Sequence, residues 1–379
     1  MLLIDNGFTA KMSGGDYHII KVAQQWSKTN DVCFLVPRLG YDYVCNLLVG
    51  KVFVYNTPLE NHAAGIIKTI ILYIVRTWTA LLFDAEGQFD VILASSHYPY
   101  DVIPAIFLKL RFPRSKFVAY FHSLDIPYRD AGLSRIISII GNYLGALLVK
   151  TNADLVFTGN RYTQNFLLSL GIEKGRVFLT DQGVDVRHFT SQPKKFFDGC
   201  FIGRHVKHKG IYDLLRIWEI VRESKPDAKL AICGHGEEAS KIDEFLRKKK
   251  LEGNVLLLGF VQENEKYEVL RSSRIFIFPS YLEGWGIAIA EAMACGLPVV
   301  AYNLPVYKEV FEDKLVTMLL GDVDAMAGQV IFLLENPEVA RRIGEEGREF
   351  IKRYDWNGVA ERELMEIHAL VNGQSLKRY

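Results

Sequence analysis

Cysteine is scarce in this 379-residue chain: there are five, each standing alone. No CxxC pair occurs among Cys33, Cys45, Cys200, Cys233 and Cys295. That excludes a zinc ribbon or a disulfide framework and fits small buried residues of a reducing cytosol. An excess of charge of one sign is also lacking. Lys and Arg number 45 against 44 Asp and Glu, a formal net charge of +1, so no nucleic-acid partner is expected. No long apolar run is free of charge. The most apolar stretch, 63–83, is interrupted by Lys68 and Arg76, which argues against a spanning helix. Met1-Leu2-Leu3-Ile4 is followed at once by Asp5, so no secretory signal is expected. Residues 1–15 lack the G-x-G-x-x-G of dinucleotide-dependent enzymes. No DxD-type acidic cluster stands in a site context, and no metal is expected.

What the chain does have is apolar residues, 49% of the total, at a length comfortable for two domains. Short apolar runs alternate with helical patterns. Strands are expected at 1–4, 31–37, 51–55, 90–95, 116–121, 155–158 and 177–179, then at 199–202, 229–233, 255–258, 275–278 and 298–302. Few polar residues alternate within them, as in parallel strands covered on both faces. The fold class is α/β, with two doubly wound Rossmann-like domains facing a cleft at the carboxyl ends of their sheets. The expected division is 1–188 and 199–355, with a polar linker near 186–198.

The most informative stretch is 278–305, FPSYLEGWGIAIAEAMACGLPVVAYNLP. It reads as strand end, loop, glycine turn, helix, glycine stop and next strand. Gly284 and Gly286 bracket Trp285, letting backbone amides approach a ligand closely. A helix beginning near Gly286 and Ile287 turns its unpaired N–H groups toward that loop, a site that favours an anion. Glu283 and Glu291 flank it. Eight helical residues would separate two carboxylates by roughly 12 Å, too far for the pair of a retaining glycosidase at about 5 to 5.5 Å. They fit two acceptors for two different hydroxyl groups. A ligand with an anionic middle and hydroxyls at both ends, such as a nucleotide-sugar, matches.

The whole string, with PS, EG-aromatic-G, EAMACG and PVVA in register, resembles the E-x7-E signature of retaining glycosyltransferases of family 4, which have the GT-B fold. The resemblance is strong from about 199 to 360 and thin before it. It implies further site residues. Gly203-Arg204-His205-Val206-Lys207-His208-Lys209-Gly210 is similar to the element that binds the donor diphosphate, through Arg204 and Lys209. Gly234, in the Gly-His-Gly turn after a strand, would line the nucleotide, and Phe260-Val261 would border the base. In the first half, Gly14 and Gly15 stand where the family has a phosphate or acceptor loop, though simple turn formation also explains them. His122 falls at the family's acceptor-side histidine, where it would hydrogen-bond the sugar near the reacting centre. His97 and Asn160 are acceptor-side or rim candidates. The resemblance also implies that a terminal helix, 356–379, returns to the first domain. Departures from the common pattern are Gln182 in Asp181-Gln182-Gly183-Val184-Asp185 and Tyr302-Asn303-Leu304-Pro305, where many members carry glycines.

The resemblance implies transfer of a sugar with retention of configuration and without a cofactor. The donor would be a UDP-, GDP- or ADP-sugar; the acceptor would be a glycan or a lipid-linked hydroxyl. Glu283 would be catalytic, orienting the sugar, and Glu291 would hold ribose. The stretches 66–83 and 136–149 are unusually apolar, and 108–116 adds four cations. A cytoplasmic protein touching the membrane face is therefore expected beside the plainer reading that these helices only cover the sheet. A soluble glucan or small-sugar transferase, a Rossmann-type oxidoreductase or epimerase, and a catalytically inactive binding module are the alternatives.

Overall fold

The protein is described from a computed structural model. The structure describes residues 1–7, 13–45, 51–55, 66–84, 87–122, 124, 133–186 and 194–374, without the side chains at 42, 43, 51, 55, 66, 133–135 and 138. Part of the first loop and of the expected linker lie outside these residues. The chain separates into two units, 1–182 with 356–379, and 183–355.

In the first unit the elements run β1 (Leu2–Ile4), α1 (Gly14–Trp26), β2 (Cys33–Pro37), α2 (Arg38–Cys45), β3 (Lys51–Tyr55), α3 (Ile66–Leu81), β4 (Val91–Ala94), α4 (Pro99–Arg111), β5 (Lys116–Phe121), α5 (Leu133–Asn152), β6 (Leu155–Thr158), α6 (Arg161–Ser169) and β7 (Val177–Leu179). The strands form one sheet in the order β3-β2-β1-β4-β5-β6-β7, and every pair described is parallel. The direction of winding reverses between β1 and β4, which opens a crevice beyond their carboxyl ends. Alternate strand residues feed two cores. Leu2 and Ile4 face Ala105, Leu108 and Ala146, whereas Leu3 faces Ile19, Ala23 and Trp356. The last helix, α14 (Trp356–Val371), belongs to this unit: Trp26 Nε1 donates to Ala360 O at 2.8 Å.

The second unit runs β8 (Phe197–Ile202), α7 (Ile211–Ser224), β9 (Leu230–Cys233), α8 (Ala239–Lys249), β10 (Val255–Gly259), α9 (Glu263–Arg271), β11 (Ser273–Phe278), α10 (Ile287–Ala294), β12 (Val299–Tyr302), α11 (Pro305–Phe311), β13 (Val316–Met318), α12 (Val323–Glu335) and α13 (Pro337–Ile351). Its sheet has the order β10-β9-β8-β11-β12-β13, with the winding reversing between β8 and β11.

Two features differ from the sequence expectation. The division between units falls at 182/183, earlier than the polar linker. Val184 is buried in the second core, and its N–H donates to Tyr354 O at 2.8 Å, so the backbone commits to the second unit before the polar run begins. Strand β13 was not expected; its three residues are only partly covered, so they carry little apolar signal.

Candidate functional site

The loop after β8 is held against the end of β11 by backbone geometry. Gly210 has φ of +70°, and a Cβ there would lie 1.7 Å from Pro279 O; no other residue fits without moving a strand end. His208 O accepts from Tyr281 N at 2.8 Å and from Ser280 Oγ at 3.2 Å. Asp213, in the first turn of α7, accepts from the hydroxyls of Tyr281 at 2.6 Å and Tyr302 at 2.7 Å. These ties bring Lys209 to Glu283, Nζ to Oε1, at 2.5 Å, both side chains being largely buried. The neighbouring turn after β9 packs equally tightly, since a Cβ on Gly234 would lie 1.9 Å from Gly203 O. Arg204 is exposed beside it.

Gly286 caps α10 in the left-handed region, with Ile287 the first helical residue. The amides at this end are those an α-helix leaves without an internal partner. Glu291 is buried one turn further in and pairs with Lys266 of α9, Nζ to Oε1, at 2.5 Å. Lys266 escaped the sequence reading because nothing in its own helix marks it; only the fold places α9 beside α10. Trp285 does not face outward. Its ring is buried edge-on to Phe311 and Tyr354, so a ligand role would fall to its backbone and that of Gly284. Phe260 is exposed, and with Val261 it lines a groove of about 690 Å³ with Phe196 and Glu265.

In the first unit, Gly14 and Gly15 are the first residues of α1 rather than a loop before it. Ser13 caps the helix: Asp16 N donates to Ser13 Oγ, and Ser13 N to Asp16 Oδ2. A Cβ on Gly15 would lie 2.8 Å from His122 Cδ2, so the missing side chain is what lets α1 press on that ring. His122 Nε2 lies 2.8 Å from Ser95 O. A carbonyl only accepts, so Nε2 carries the proton and Nδ1 the lone pair. Burial, and then the neighbouring His18, holds its imidazole down to about 3; it is neutral at physiological pH. His18 itself sits in a buried network that sequence reasoning missed, with Nδ1 at 3.0 Å from Gln182 and Nε2 at 3.0 Å from Glu363. Glu363 also accepts from Tyr120. This network gives Gln182, a departure in the sequence, a structural partner.

Two sequence candidates have packing roles. His97 is not at a rim: it is buried, stacked on Phe121 with centroids 3.7 Å apart, and bonded through Nε2 to Asn142 at 2.6 Å. Asn160 caps α6, its Oδ1 accepting from Thr163 N at 2.8 Å. The buried thiols of Cys200 and Cys233 are pushed up to about 12 by burial, which leaves them inert.

Asp101, at the crevice of the first sheet, is pushed up to about 7 by burial, although Ser96, Asn6 N–H and Ser95 bond it. Asp5 is raised well above the usual carboxylate range by burial and by the carboxyls of Asp16 and Asp101. Two buried acids, both raised by burial, therefore sit beside the ends of β1 and β4.

The family described as glycosyl transferases group 1 matches residues 186–350, the stretch that carries both lysine–glutamate pairs. The phosphatidyl-myo-inositol mannosyltransferase of Mycolicibacterium smegmatis is 30% identical over 321 residues, covering 80% of this chain and 75% of that protein. An uncharacterized glycosyltransferase of Methanocaldococcus jannaschii is 40% identical over 272 residues, 66% of this chain and 64% of that one. Among solved structures, sucrose-phosphate synthase from Thermosynechococcus elongatus superposes with a TM-score of 0.77 at 16% identity, over 98% of this chain and 99% of that one. The Anabaena HepE protein in complex with UDP and glucose gives 0.75 at 16% identity, over 97% and 99%. These likenesses establish the fold as GT-B, and the identity to the mannosyltransferase over three quarters of its length establishes the family. The chain belongs to the group 1 glycosyl transferases.

Proposed function

We propose that this glycosyltransferase is a retaining enzyme of the E-x7-E kind, family 4, that moves a sugar from a nucleotide-sugar to the hydroxyl of a lipid-linked or glycan acceptor without a cofactor or metal ion. The observation that carries this reading is the pairing of Lys209 with Glu283 and of Lys266 with Glu291 around the amino end of α10. The pairs set a cation and an acceptor on each side of an anion-favouring helix end.

Arg204, Lys209 and the first amides of α10 would neutralise the leaving diphosphate, whose charge grows in the transition state. Glu283 would accept from a sugar hydroxyl and Glu291 from the ribose hydroxyls, with Gly234, Phe260 and Val261 along the nucleotide. In a front-face displacement the bond from the anomeric carbon to the phosphate oxygen breaks and that from the acceptor oxygen forms. The departing phosphate oxygen takes the acceptor's proton, so no protein nucleophile is required. In the first unit, the neutral His122 would accept from an acceptor or sugar hydroxyl through Nδ1. The HepE complex with UDP and glucose supports the donor class, and the mannosyltransferase's printed name supports a lipid acceptor. The place of action we propose is the cytoplasmic membrane face.

Donor hydrolysis and transfer measured over UDP-, GDP- and ADP-sugars test this. One donor should be used, with the product anomer matching the donor, and chelator should leave the rate unchanged. An inverted product, or a rate abolished by chelator, rules the reading out.

A further inference from the structure

Helices α3, α4 and α5 turn an apolar surface outward. On α3, Leu72, Arg76 and Ala80 face the core, while Ile67, Ile70, Ile71, Ile74 and Trp78 form a second stripe at helical spacing; Ile67 is 69% exposed, Ile74 63% and Trp78 64%. On α4, Ile103, Phe107 and Leu110 repeat the pattern; on α5, Ile136, Ile140, Tyr143, Leu144 and Leu147 do so. A contiguous exposed patch of this kind marks an interaction surface. Among these helices runs a groove of about 1120 Å³, whose lining includes Ile70, Ile74, Trp78, Ile103, Ile140 and Leu144.

One wall of the groove is aromatic and leads to the crevice of the sheet. Tyr73 stacks on Tyr100 with centroids 4.2 Å apart, and Tyr98 lies 5.4 Å from Tyr100. Tyr100 O accepts from Asn6 Nδ2 at 2.6 Å, beside the end of β1. The same strand ends carry Ser95, the partner of His122. An apolar slot thus terminates next to polar groups positioned for a hydroxyl.

Charge identifies the occupant. Helices α3 and α5 contain no acidic residue, and α4 has only Asp101, which is buried. Lys68 stands on α3 and Arg114 in the turn that follows α4, both exposed; on α4 itself, Lys109 pairs with Asp154 at 3.6 Å and Arg111 with Asp84. A second copy docked across a two-fold axis would set these cations against themselves. An anionic lipid surface complements them. The 16 and 20 residues of α3 and α5 are about 24 and 30 Å long, and among the described residues no helix is long and apolar enough to cross a membrane. These helices suit the plane of an interface.

We propose that the groove holds the hydrocarbon chain of a lipid acceptor while the apolar stripes around it rest on an anionic bilayer. This rests on the transferase reading above and names the partner of its acceptor side. The test is flotation of the full-length chain with phosphatidylglycerol or phosphatidylcholine vesicles. Wild type should bind phosphatidylglycerol vesicles at least about ten-fold more tightly than phosphatidylcholine. Ile74→Glu with Ile140→Glu should lower that binding by a similar factor, with an unchanged thermal melt as the check on folding. For the groove, phosphatidylglycerol brominated on its acyl chains should quench the tryptophan emission of wild type, and Trp78→Phe should lose most of that quenching. Absence of vesicle binding, equal binding by the double variant, or a concentration-dependent dimer that the double variant abolishes would each overturn the proposal. Donor hydrolysis by wild type without vesicles separates the two readings. Hydrolysis without vesicle binding defeats the surface alone; vesicle binding without hydrolysis supports the surface and defeats the transferase mechanism.

Discussion

The outer helices of the two units differ in how much apolar surface they turn outward. In the second unit they are laced with ion pairs. Arg341 reaches Glu338 at 2.9 Å and Glu345 at 2.8 Å, Lys249 reaches Glu219 at 2.8 Å, and Lys225 reaches Glu335 at 3.2 Å. In the first unit α3, α4 and α5 show isoleucine, leucine and tryptophan to the outside. Exposed ion pairs add little to stability; their consequence is a surface that stays wet. Exposed apolar stripes add nothing to the fold that bears them, and their free energy is recovered only on contact with another apolar phase. On the reading proposed above, the difference separates a unit that would hold a charged, water-soluble donor from one whose outer face would rest on lipid.

The contrast can be broken first at the backbone of the second unit. Gly210→Ala forces a Cβ onto Pro279 O at a left-handed φ and should cost about 3 kcal/mol or more in denaturant unfolding. A wild-type midpoint would show that the Lys209 and Glu283 loops are not locked together. Next come the pairs themselves. Glu283→Ala should lower kcat by about 10²-fold while changing nucleotide affinity by less than about ten-fold, and Glu291→Ala should do the reverse, since ribose contacts are shared by ground and transition states. Equal losses of affinity in calorimetry would contradict the division of roles.

The strand ends of the first unit should show themselves through pH. His122 in the folded chain titrates at about 3, below the ordinary histidine value of about 6.5. The unfolded state therefore binds more protons between these values. Its contribution to stability is fully present above pH 6.5 and falls as pH drops toward 3, by at most about 1.4 kcal/mol per pH unit. His122→Gln should remove that slope. Asp101, raised to about 7, has the opposite sign: its contribution is present below the ordinary carboxyl value of about 3.9 and is lost as pH rises through 7. Asp101→Asn should therefore gain on wild type as pH rises through that window. Denaturant midpoints of wild type and both variants from pH 4 to 8 check the two signs. The smallest effects are expected outside: Trp78→Ser and Glu335→Ala should each shift stability by less than about 0.5 kcal/mol. A larger loss at Trp78 would mean that the ring packs within its own unit, and the docking surface would lose its central residue.

The fold was largely legible because its signals are local. Five strands, at 51–55, 116–121, 155–158, 177–179 and within 31–37, stand out as apolar runs between turns, and the order of elements fixes a doubly wound sheet. The string from Glu283 to Gly296 is equally local, since glycines, acids and helix start are set by neighbours in sequence. The misses are of another kind. Strand β13 is short and half covered. His97 follows a strand, as His122 does, and only the packing of Phe121 and Asn142 separates a core histidine from one at the crevice.

The sequence alone therefore determined the alternation of strands and helices and the two carboxylates, Glu283 and Glu291, that flank the Gly284–Gly286 turn, because these depend on spacing along one segment. Tertiary structure alone decided that Lys266 meets Glu291, that His18 meets Glu363 across 345 positions, that the units divide at 182/183, and which apolar stripe of α3 faces outward. Each of those is a contact between segments whose distance is set by crossover connections, and hydrophobic periodicity carries no information about which neighbour a face will meet.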